Sequence, residues 1–313
     1  MMENLGILGA GTMGHSIALA AAWAGMAPTV YGVDQEDITR AAEGVRIKLT
    51  TLEREGVCSA EENRRIQDRI RFTDSFKETI KNATFIIEAA PENLPLKQQL
   101  FQKLDMYCDK NVILASNTSG LSPTEIASEV NYPERTVVTH FWNPAHLIPL
   151  VEVIRGEHTS NETVNRSLEL LRNMKKKPIE VKKDILGSIV NRLQYALFRE
   201  AQYILEQGAA TKEDIDAAVR YSIGRRLPVT GPFLTADMGG LDVFHAISNY
   251  LFQDLSKADE SLSEMKRLVE SGRFGQKTGQ GFYEWNEPFT KEINEKRERT
   301  LIEFLKKDYE EME

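Results

Sequence analysis

Short apolar runs alternate with amphipathic stretches over the first part of the chain. Such runs are typical of buried strands, whereas apolar residues recurring every three or four positions are typical of helices packed on one face. We predict strands at 4–8, 29–33, 70–73, 85–88, 112–115, 150–154 and 178–181, with Val137 and Val138 closing another. We predict helices at 15–23, 36–55, 60–68, 95–107 and 161–174. This alternation indicates an α/β fold with a doubly wound, mostly parallel sheet.

The strand pattern stops near Asp184, and the rest of the chain is predicted to be helical. Residues 185–206 are amphipathic, with an apolar stripe formed by Leu193, Leu197, Ala201 and Leu205. We divide the chain into an α/β domain at 1–183, an all-helical C-terminal domain at 184–287 and a charged helical tail at 288–313. We expect the tail to pack on the body of the chain or on a partner subunit.

A glycine-rich segment follows the first predicted strand and opens a helix: Gly9, Ala10, Gly11, Thr12, Met13 and Gly14. In such a unit the first glycine permits a tight turn, the second lets pyrophosphate approach the backbone, and the third lets helix and strand pack closely. The helix N-terminus adds unpaired amides. Asp34 ends the next strand, where it would bond a ribose 2′-hydroxyl and repel a 2′-phosphate. The pattern predicts a Rossmann-type domain that binds NAD in preference to NADP, with FAD as the competing ligand.

The segment 137–154 contains a candidate proton-transfer pair. Glu152 interrupts an apolar run, and a buried carboxylate needs a partner because burying an unpaired charge is costly. If the two strands lie side by side, Glu152 can bond one nitrogen of His140 and leave the other free to move a substrate proton. A satisfied core histidine beside an unrelated glutamate is the structural alternative. Glu92, Ser119 and His140 all follow predicted strands, so we expect them at the sheet edge where ligands bind.

Composition and charge narrow the classes of function. The net charge of −8 argues against general nucleic-acid binding, but a local basic patch can still hold an anionic small ligand. Cys58 and Cys108 are too few for a disulfide framework or a zinc site, so we predict no metal and expect a reducing cytoplasm. The apolar segment 5–27 is cut by glycines and lacks a basic leader, so we expect neither a signal peptide nor a membrane span.

Several segments occur in the order and at the spacing of a known family: GILGAGTMG, VDQEDI, IIEAAPENLPLKQQLF, ASNTSGL, HFWNPAHLIPLVEV, IVNRL, EDIDAAV, GPF and FGQKTGQGFY. Over almost its whole length the chain resembles the 3-hydroxyacyl-CoA dehydrogenases. The resemblance implies an NAD-binding domain followed by a helical domain that often dimerises. It also implies a catalytic His–Glu pair, which corresponds to His140 and Glu152 in this sequence.

The resemblance assigns further residues to roles. It places Asn143 beside the nicotinamide and the reacting oxygen, with Ser119 on the same oxygen and Asn191 near the substrate. It also implies NAD contacts, which involve Glu92, Lys97, Lys277, Ser119 and Asn143. Asn191 and Lys97 rest on the resemblance alone.

Two substrate classes remain open. A short 3-hydroxyacyl-CoA such as 3-hydroxybutyryl-CoA is the first, and the family's helical arm that meets CoA corresponds here to the stretch around Lys48, where acids and bases are mixed. The second is a free 3-hydroxy acid, as in the related L-gulonate or carnitine dehydrogenases. Arg225 and Arg226 would then bind the carboxylate, because the planar guanidinium fork suits it. We favour the acyl-CoA.

Two predictions concern the protein as a whole. A non-catalytic NAD-binding protein is a third alternative, but it would have no need of His140, Glu152, Asn143 and Asn191 together. The apolar stripe of the helical domain is large for a domain of about 100 residues to bury alone, so we predict a homodimer through that domain.

Overall fold

The computed structural model describes residues 3–310 and divides them into two units. The first unit runs to Ile189 and also takes in the segment from Glu295 onward, and the second is Val190–Asn294. The sequence placed the boundary at 183/184 and treated 288–313 as a separate tail. In the structure, the tail from Glu295 shares the core of the first unit.

An eight-stranded sheet forms the centre of the first unit in the described part of the chain, in the order β3-β2-β1-β4-β5-β6-β7-β8. The strands are β1 Leu5–Leu8, β2 Thr29–Tyr31, β3 Arg71–Thr73, β4 Phe85–Glu88, β5 Ile113–Ser116, β6 Thr136–Phe141, β7 Leu150–Ile154 and β8 Lys177–Val181. Neighbouring strands are parallel except β6 and β7, which are antiparallel. The predicted Rossmann-type, mostly parallel sheet is confirmed.

Seven α-helices and one 3-10 turn, Pro133–Arg135, lie between the strands. The α-helices are α1 Thr12–Trp23, α2 Gln35–Arg54, α3 Ala60–Arg69, α4 Phe76–Ile80, α5 Leu94–Tyr107, α6 Pro123–Ile126 and α7 Asn161–Asn173. Most begin at a polar side chain that accepts a hydrogen bond from a backbone amide of the first turn, which satisfies a donor that the helix leaves unpaired. These cap residues are Asp34, Ser59, Ser75, Asn93, Ser122 and Ser160.

Adjacent residues of the central strands point into two different cores. Ile7 and Ile87 belong to a large cluster that contains residues of α1 and α2, whereas Leu8 and Ile86 belong to a second cluster with Phe101 of α5. Side chains alternate across a strand, so a strand that is apolar at every position must be covered on both faces. This explains the continuous apolar runs in the sequence.

The second unit is helical: α8 Val190–Glu206, α9 Lys212–Ala218, a π-helical turn Val219–Ile223, α10 Gly224–Arg226, α11 Pro232–Gly239, α12 Leu241–Asp254 and α13 Ser263–Glu270. The last helix, α14 Glu287–Glu310, begins here and ends in the first unit. The predicted helix at 185–206 starts only at Val190, because Gly187 and Ser188 have left-handed backbone angles, with φ of 76° and 51°. Across residues 3–310 no helix is long and apolar enough to cross a membrane.

Candidate active site

The glycine-rich turn between β1 and α1 leaves open space at the helix N-terminus. A Cβ at Gly14 would lie 1.7 Å from the Gly9 carbonyl oxygen, and one at Gly9 would lie 2.6 Å from the Ala89 carbonyl oxygen. Gly9 also has a φ of +114°, which favours glycine. A Cβ at Gly11, in contrast, would meet nothing within 4 Å. Two glycines are therefore required by the fold, and Gly11 leaves open space at the helix N-terminus, where the sequence predicts the pyrophosphate.

Asp34 lies at the start of α2, beyond the carboxyl end of β2. Its Oδ1 atom accepts a hydrogen bond of 2.8 Å from the amide of Asp37, so the side chain caps the helix. This bond fixes the carboxylate, and because β1 and β2 are neighbouring parallel strands, Asp34 and the glycine-rich turn lie at the same edge of the sheet. The placement fits the predicted contact with a ribose hydroxyl.

Lys48 lies on α2 and points towards the first turn of α1. Its Nζ atom is 2.8 Å from Nε2 of His15, whose Nδ1 is 3.2 Å from the Ala10 carbonyl oxygen. Burial, and then the Lys48 charge, lower the pKa of His15, so the neutral ring donates from Nδ1 and accepts from Lys48. Gly44 makes room, because a Cβ there would lie 2.6 Å from Nε2. The sequence analysis predicted a substrate contact for Lys48. It did not predict the hydrogen bond between Lys48 and His15.

Lys97 belongs to a buried network at the end of β4. Its side chain is fully buried, and Nζ donates to Glu88 Oε1 at 2.7 Å and to the Ala90 carbonyl oxygen at 3.2 Å. Ser116 donates to the second carboxylate oxygen of Glu88 at 2.6 Å. These contacts fasten the loop after β4, and a direct contact of Lys97 with NAD stays a prediction. Sequence reasoning missed Glu88 and Ser116, although an acid in the apolar run at 85–88 was a visible signal.

Glu92 joins the loops that follow β4 and β5. Its Oε1 atom accepts hydrogen bonds from the Thr118 hydroxyl at 2.5 Å, the Ser119 amide at 3.0 Å and the Gly120 amide at 3.2 Å. A carboxylate that accepts several such bonds is held rigidly. Glu92 thus determines where the exposed side chain of Ser119 lies.

His140 and Glu152 face each other across the antiparallel pair β6 and β7, where they are register partners. The Nδ1 atom of His140 lies 2.9 Å from Oε2 of Glu152, and the two residues are 4% and 0% exposed. Directly opposed residues have side chains on the same face of the sheet, so the register itself creates the pair. The His140 ring also packs on Trp142, with centroids 4.8 Å apart.

The second oxygen of Glu152 is held just as firmly. Oε1 accepts hydrogen bonds of 2.9 Å from the Ser188 hydroxyl and from the Ile189 amide. These donors stabilise the charged carboxylate, which therefore accepts the Nδ1 proton of His140. Within residues 3–310, Nε2 of His140 has no protein hydrogen-bond partner. The ring is thus in the tautomer that can take a proton at Nε2. Ser188 and Ile189 were not predicted.

Other predicted residues of the first unit lie close to the ends of these strands. The Asn117 side chain accepts from the Phe141 amide at 2.9 Å, which joins the ends of β5 and β6. Ser119 follows β5 and Asn143 follows β6, and both side chains are exposed. The structure therefore places Ser119 and Asn143 on the strand ends that this bond holds together.

The remaining predicted residues belong to the second unit. Asn191 is half-buried in the first turn of α8. Arg225 and Arg226 are exposed on α10, and the Arg225 guanidinium lies 5.3 Å from the Tyr221 ring centroid. Lys277 is exposed in the turn between Gly275 and Gly279. Their roles at the substrate or cofactor stay predictions.

Comparisons with known proteins identify the family. The sequence model described as "3-hydroxyacyl-CoA dehydrogenase, NAD binding domain" matches residues 4–185, and that of the family's C-terminal domain matches residues 187–285. A "5-formyl-3-hydroxy-2-methylpyridine 4-carboxylate 5-dehydrogenase" of Mesorhizobium japonicum is 35% identical over 302 residues, which cover 96% of this chain and 97% of the relative. A "probable 3-hydroxybutyryl-CoA dehydrogenase" of Bacillus subtilis is 34% identical over 91% of this chain and 98% of the relative.

A solved structure supports the same assignment. The crystal structure of a 5-formyl-3-hydroxy-2-methylpyridine 4-carboxylic acid 5-dehydrogenase, described as an NAD⁺-dependent dismutase, superposes with a TM-score of 0.91. The two chains are 34% identical, and the superposition covers 99% of each. The chain therefore belongs to the 3-hydroxyacyl-CoA dehydrogenase family and is an oxidoreductase that uses NAD.

Proposed function

We propose that this protein interconverts a hydroxyl group and the corresponding carbonyl group of a small anionic substrate, with His140 as the general base and acid. The observation that carries the proposal is the buried hydrogen bond of 2.9 Å between His140 Nδ1 and Glu152 Oε2. In the neutral ring this bond places the proton on Nδ1 and leaves the lone pair on Nε2, which is the atom a base needs. When bound, NAD supplies the hydride acceptor for oxidation and, in its reduced form, the hydride donor for reduction.

The protein groups move and stabilise the proton. In oxidation, Nε2 of His140 takes the proton of the substrate hydroxyl, and in reduction it returns that proton to the new alkoxide. Glu152 keeps the ring oriented and stabilises the imidazolium, because its charge lies against Nδ1 in a buried environment. We assign Ser119, Asn143 and Asn191 to holding the reacting substrate, as donors to its oxygen.

Two substrate classes fit this chemistry. An acyl-CoA, our preference from the sequence, is supported by the Bacillus subtilis relative, whose name specifies 3-hydroxybutyryl-CoA. A free acid without CoA is supported by the Mesorhizobium japonicum relative, whose name specifies a formyl-substituted pyridine carboxylate and which matches this chain over 96% of its length. In the second case Arg225 or Arg226 would bind the substrate carboxylate.

Replacing His140 by glutamine tests the proposal. We expect His140→Gln to lower turnover by about 10²–10⁴-fold, the usual contribution of a general base, while NADH still binds. His158→Gln is a matched control, since His158 is exposed in a loop and has no assigned role. Turnover and NADH affinity would be measured for both variants and the unmodified protein. Near-normal turnover of His140→Gln would exclude His140 as the base.

We also propose that the protein is a homodimer through its helical domain. Helix α8 is amphipathic but has no buried residue, and large apolar side chains elsewhere in the second unit are open to solvent. Phe233 and Met238 of α11, for example, are 88% and 75% exposed. Extended apolar surface of this kind marks an interaction site, and a second copy of the chain is the partner that covers it in our proposal.

A further inference from the structure

Helix α14 lies against the C-terminal end of α2, where Ile302 lines one cavity together with Thr51 and Arg54. Ile302 and Leu305 are 2% and 4% exposed, and they belong to a large hydrophobic cluster that also contains residues of α1 and α2. Burying apolar side chains this deeply stabilises the folded chain. The segment is therefore an integral layer of the first unit.

Polar and aromatic contacts fasten this segment along its length. Lys306 Nζ donates to the Glu55 carbonyl oxygen at 2.5 Å, directly after the last residue of α2. Lys177 donates to Asp308 at 2.6 Å. The ring of Tyr309 stands edge-on to Trp23 of α1, with centroids 5.7 Å apart. The C-terminal end of α2 is thereby covered by the chain's own helix.

The cations on α2 are already engaged by neighbouring groups. Both Nε and Nη2 of Arg46 donate to the carboxylate of Glu43, at 2.7 and 2.5 Å. Arg54 pairs with Glu55 at 3.3 Å. Lys48 is bonded to His15, and burial lowers the pKa of its ammonium group. A CoA moiety carries several phosphate charges, so it needs free cations and would be repelled by the acids interleaved here.

Helix α14 also lies beyond the residues that the family's two domain models match. It begins at Glu287, whereas the match to the family's C-terminal domain ends at residue 285. The covering helix is therefore an addition to that domain, and it is placed on the arm where the resemblance predicted CoA contacts through Lys48.

We propose that α14 occupies the face of α2 that would otherwise receive CoA, so that the substrate is a small free hydroxy or oxo compound and not a CoA thioester. The inference rests on the proposed dehydrogenase function and specifies its substrate class. It reverses the preference for an acyl-CoA that the sequence suggested.

Calorimetric titration of the NAD-saturated full-length protein with CoA itself tests this inference without requiring turnover. We expect a dissociation constant weaker than about 1 mM, which corresponds to about −4 kcal/mol of binding free energy. A dissociation constant of about 1 mM or tighter would overturn the inference.

A parallel turnover assay compares acetoacetyl-CoA with acetoacetate and larger free oxo acids at matched concentrations. We expect at least one free acid to have a kcat/KM about tenfold or more above that of the thioester, a difference of about 1.4 kcal/mol. A thioester that is preferred, or that comes within tenfold of the best free acid, would overturn the substrate class while leaving the proposed dehydrogenase function intact. If no compound oxidises NADH, the proposed function fails, and the CoA titration still decides whether the arm binds CoA.

Discussion

At the scale of single residues, the proposed proton transfer depends on how the imidazole of His140 is oriented. Glu152 accepts from Nδ1 and is itself held by Ser188 and Ile189. Partners behind an active group fix its tautomer and orientation, which is why Nε2 is the atom left for the substrate. The sequence predicted the His140–Glu152 pair from the cost of a buried carboxylate. It could not predict Ser188, because that donor arrives from a left-handed turn within a stretch with a helical pattern.

A second buried histidine, His146, should make the free energy of unfolding depend on pH. His146 is hydrogen-bonded to the Ser16 hydroxyl at 3.0 Å, and burial, with the nearby charges of Lys48 and Lys176, lowers the pKa of His146 to about 3. The ordinary pKa is 6.5, so between these values the unfolded chain takes up a proton that the folded chain does not. The free energy of unfolding should therefore fall by about 1.4 kcal/mol for each pH unit of acidification from this group alone.

Replacing His146 by glutamine, which keeps a polar partner for Ser16, should remove that contribution to the pH dependence. Urea unfolding at about pH 6 and about pH 5 would show a smaller difference in stability for His146→Gln than for the unmodified protein, by about 1 kcal/mol. His158→Gln, which replaces an exposed histidine, is the control. Equal pH dependence in His146→Gln and the unmodified protein would show that His146 is not buried in its neutral form.

At the scale of elements, most strands and helices of the first unit follow from the sequence, because continuous apolar runs and capping side chains mark them directly. Strand β7 has the predicted bounds, and α14 begins one residue before the predicted start of the tail. The start of α8 was misplaced by the turn at Gly187, whose conformation depends on tertiary contacts. The burial of Lys97 against Glu88 was also beyond the sequence, because a lysine in the first turn of a helix is equally compatible with an exposed ligand contact.

The glycine-rich turn permits a matched pair of substitutions. Gly11→Ala adds a methyl group where the protein has open space, at φ −60° and ψ −174°, which alanine adopts readily. Its stability should stay within about 0.5 kcal/mol of the unmodified protein. NADH affinity should nevertheless fall about tenfold or more, since the methyl group enters the space left for pyrophosphate.

Gly14→Ala should behave in the opposite way. The added Cβ would lie 1.7 Å from a backbone oxygen, so the fold itself must shift, at a cost of about 1–3 kcal/mol or more. Fluorescence titration with NADH and denaturant unfolding of both variants separate the two effects. Unchanged NADH affinity in Gly11→Ala would mean that the cofactor does not approach this turn.

At the scale of the whole molecule, the helical unit cannot cover its own apolar surface. Light scattering at micromolar concentration should give twice the mass of the 35.4 kDa chain. Replacing the exposed Phe233 by aspartate should shift the mass towards that of a single chain, because a charge would be buried in the proposed interface. A monomer in the unmodified protein would contradict the proposed dimer.

Transfer of deuterium from labelled cofactor to substrate tests the catalytic proposal most directly. The protein would be incubated with a panel of free oxo acids and with acetoacetyl-CoA, using NADH deuterated at either face of nicotinamide C4. One of the two labels should appear in the product, on the carbon that bore the carbonyl oxygen, and His140→Gln should slow its appearance by about 10²–10⁴-fold. Product without deuterium from either label, or transfer at an undiminished rate in His140→Gln, would contradict the proposed mechanism.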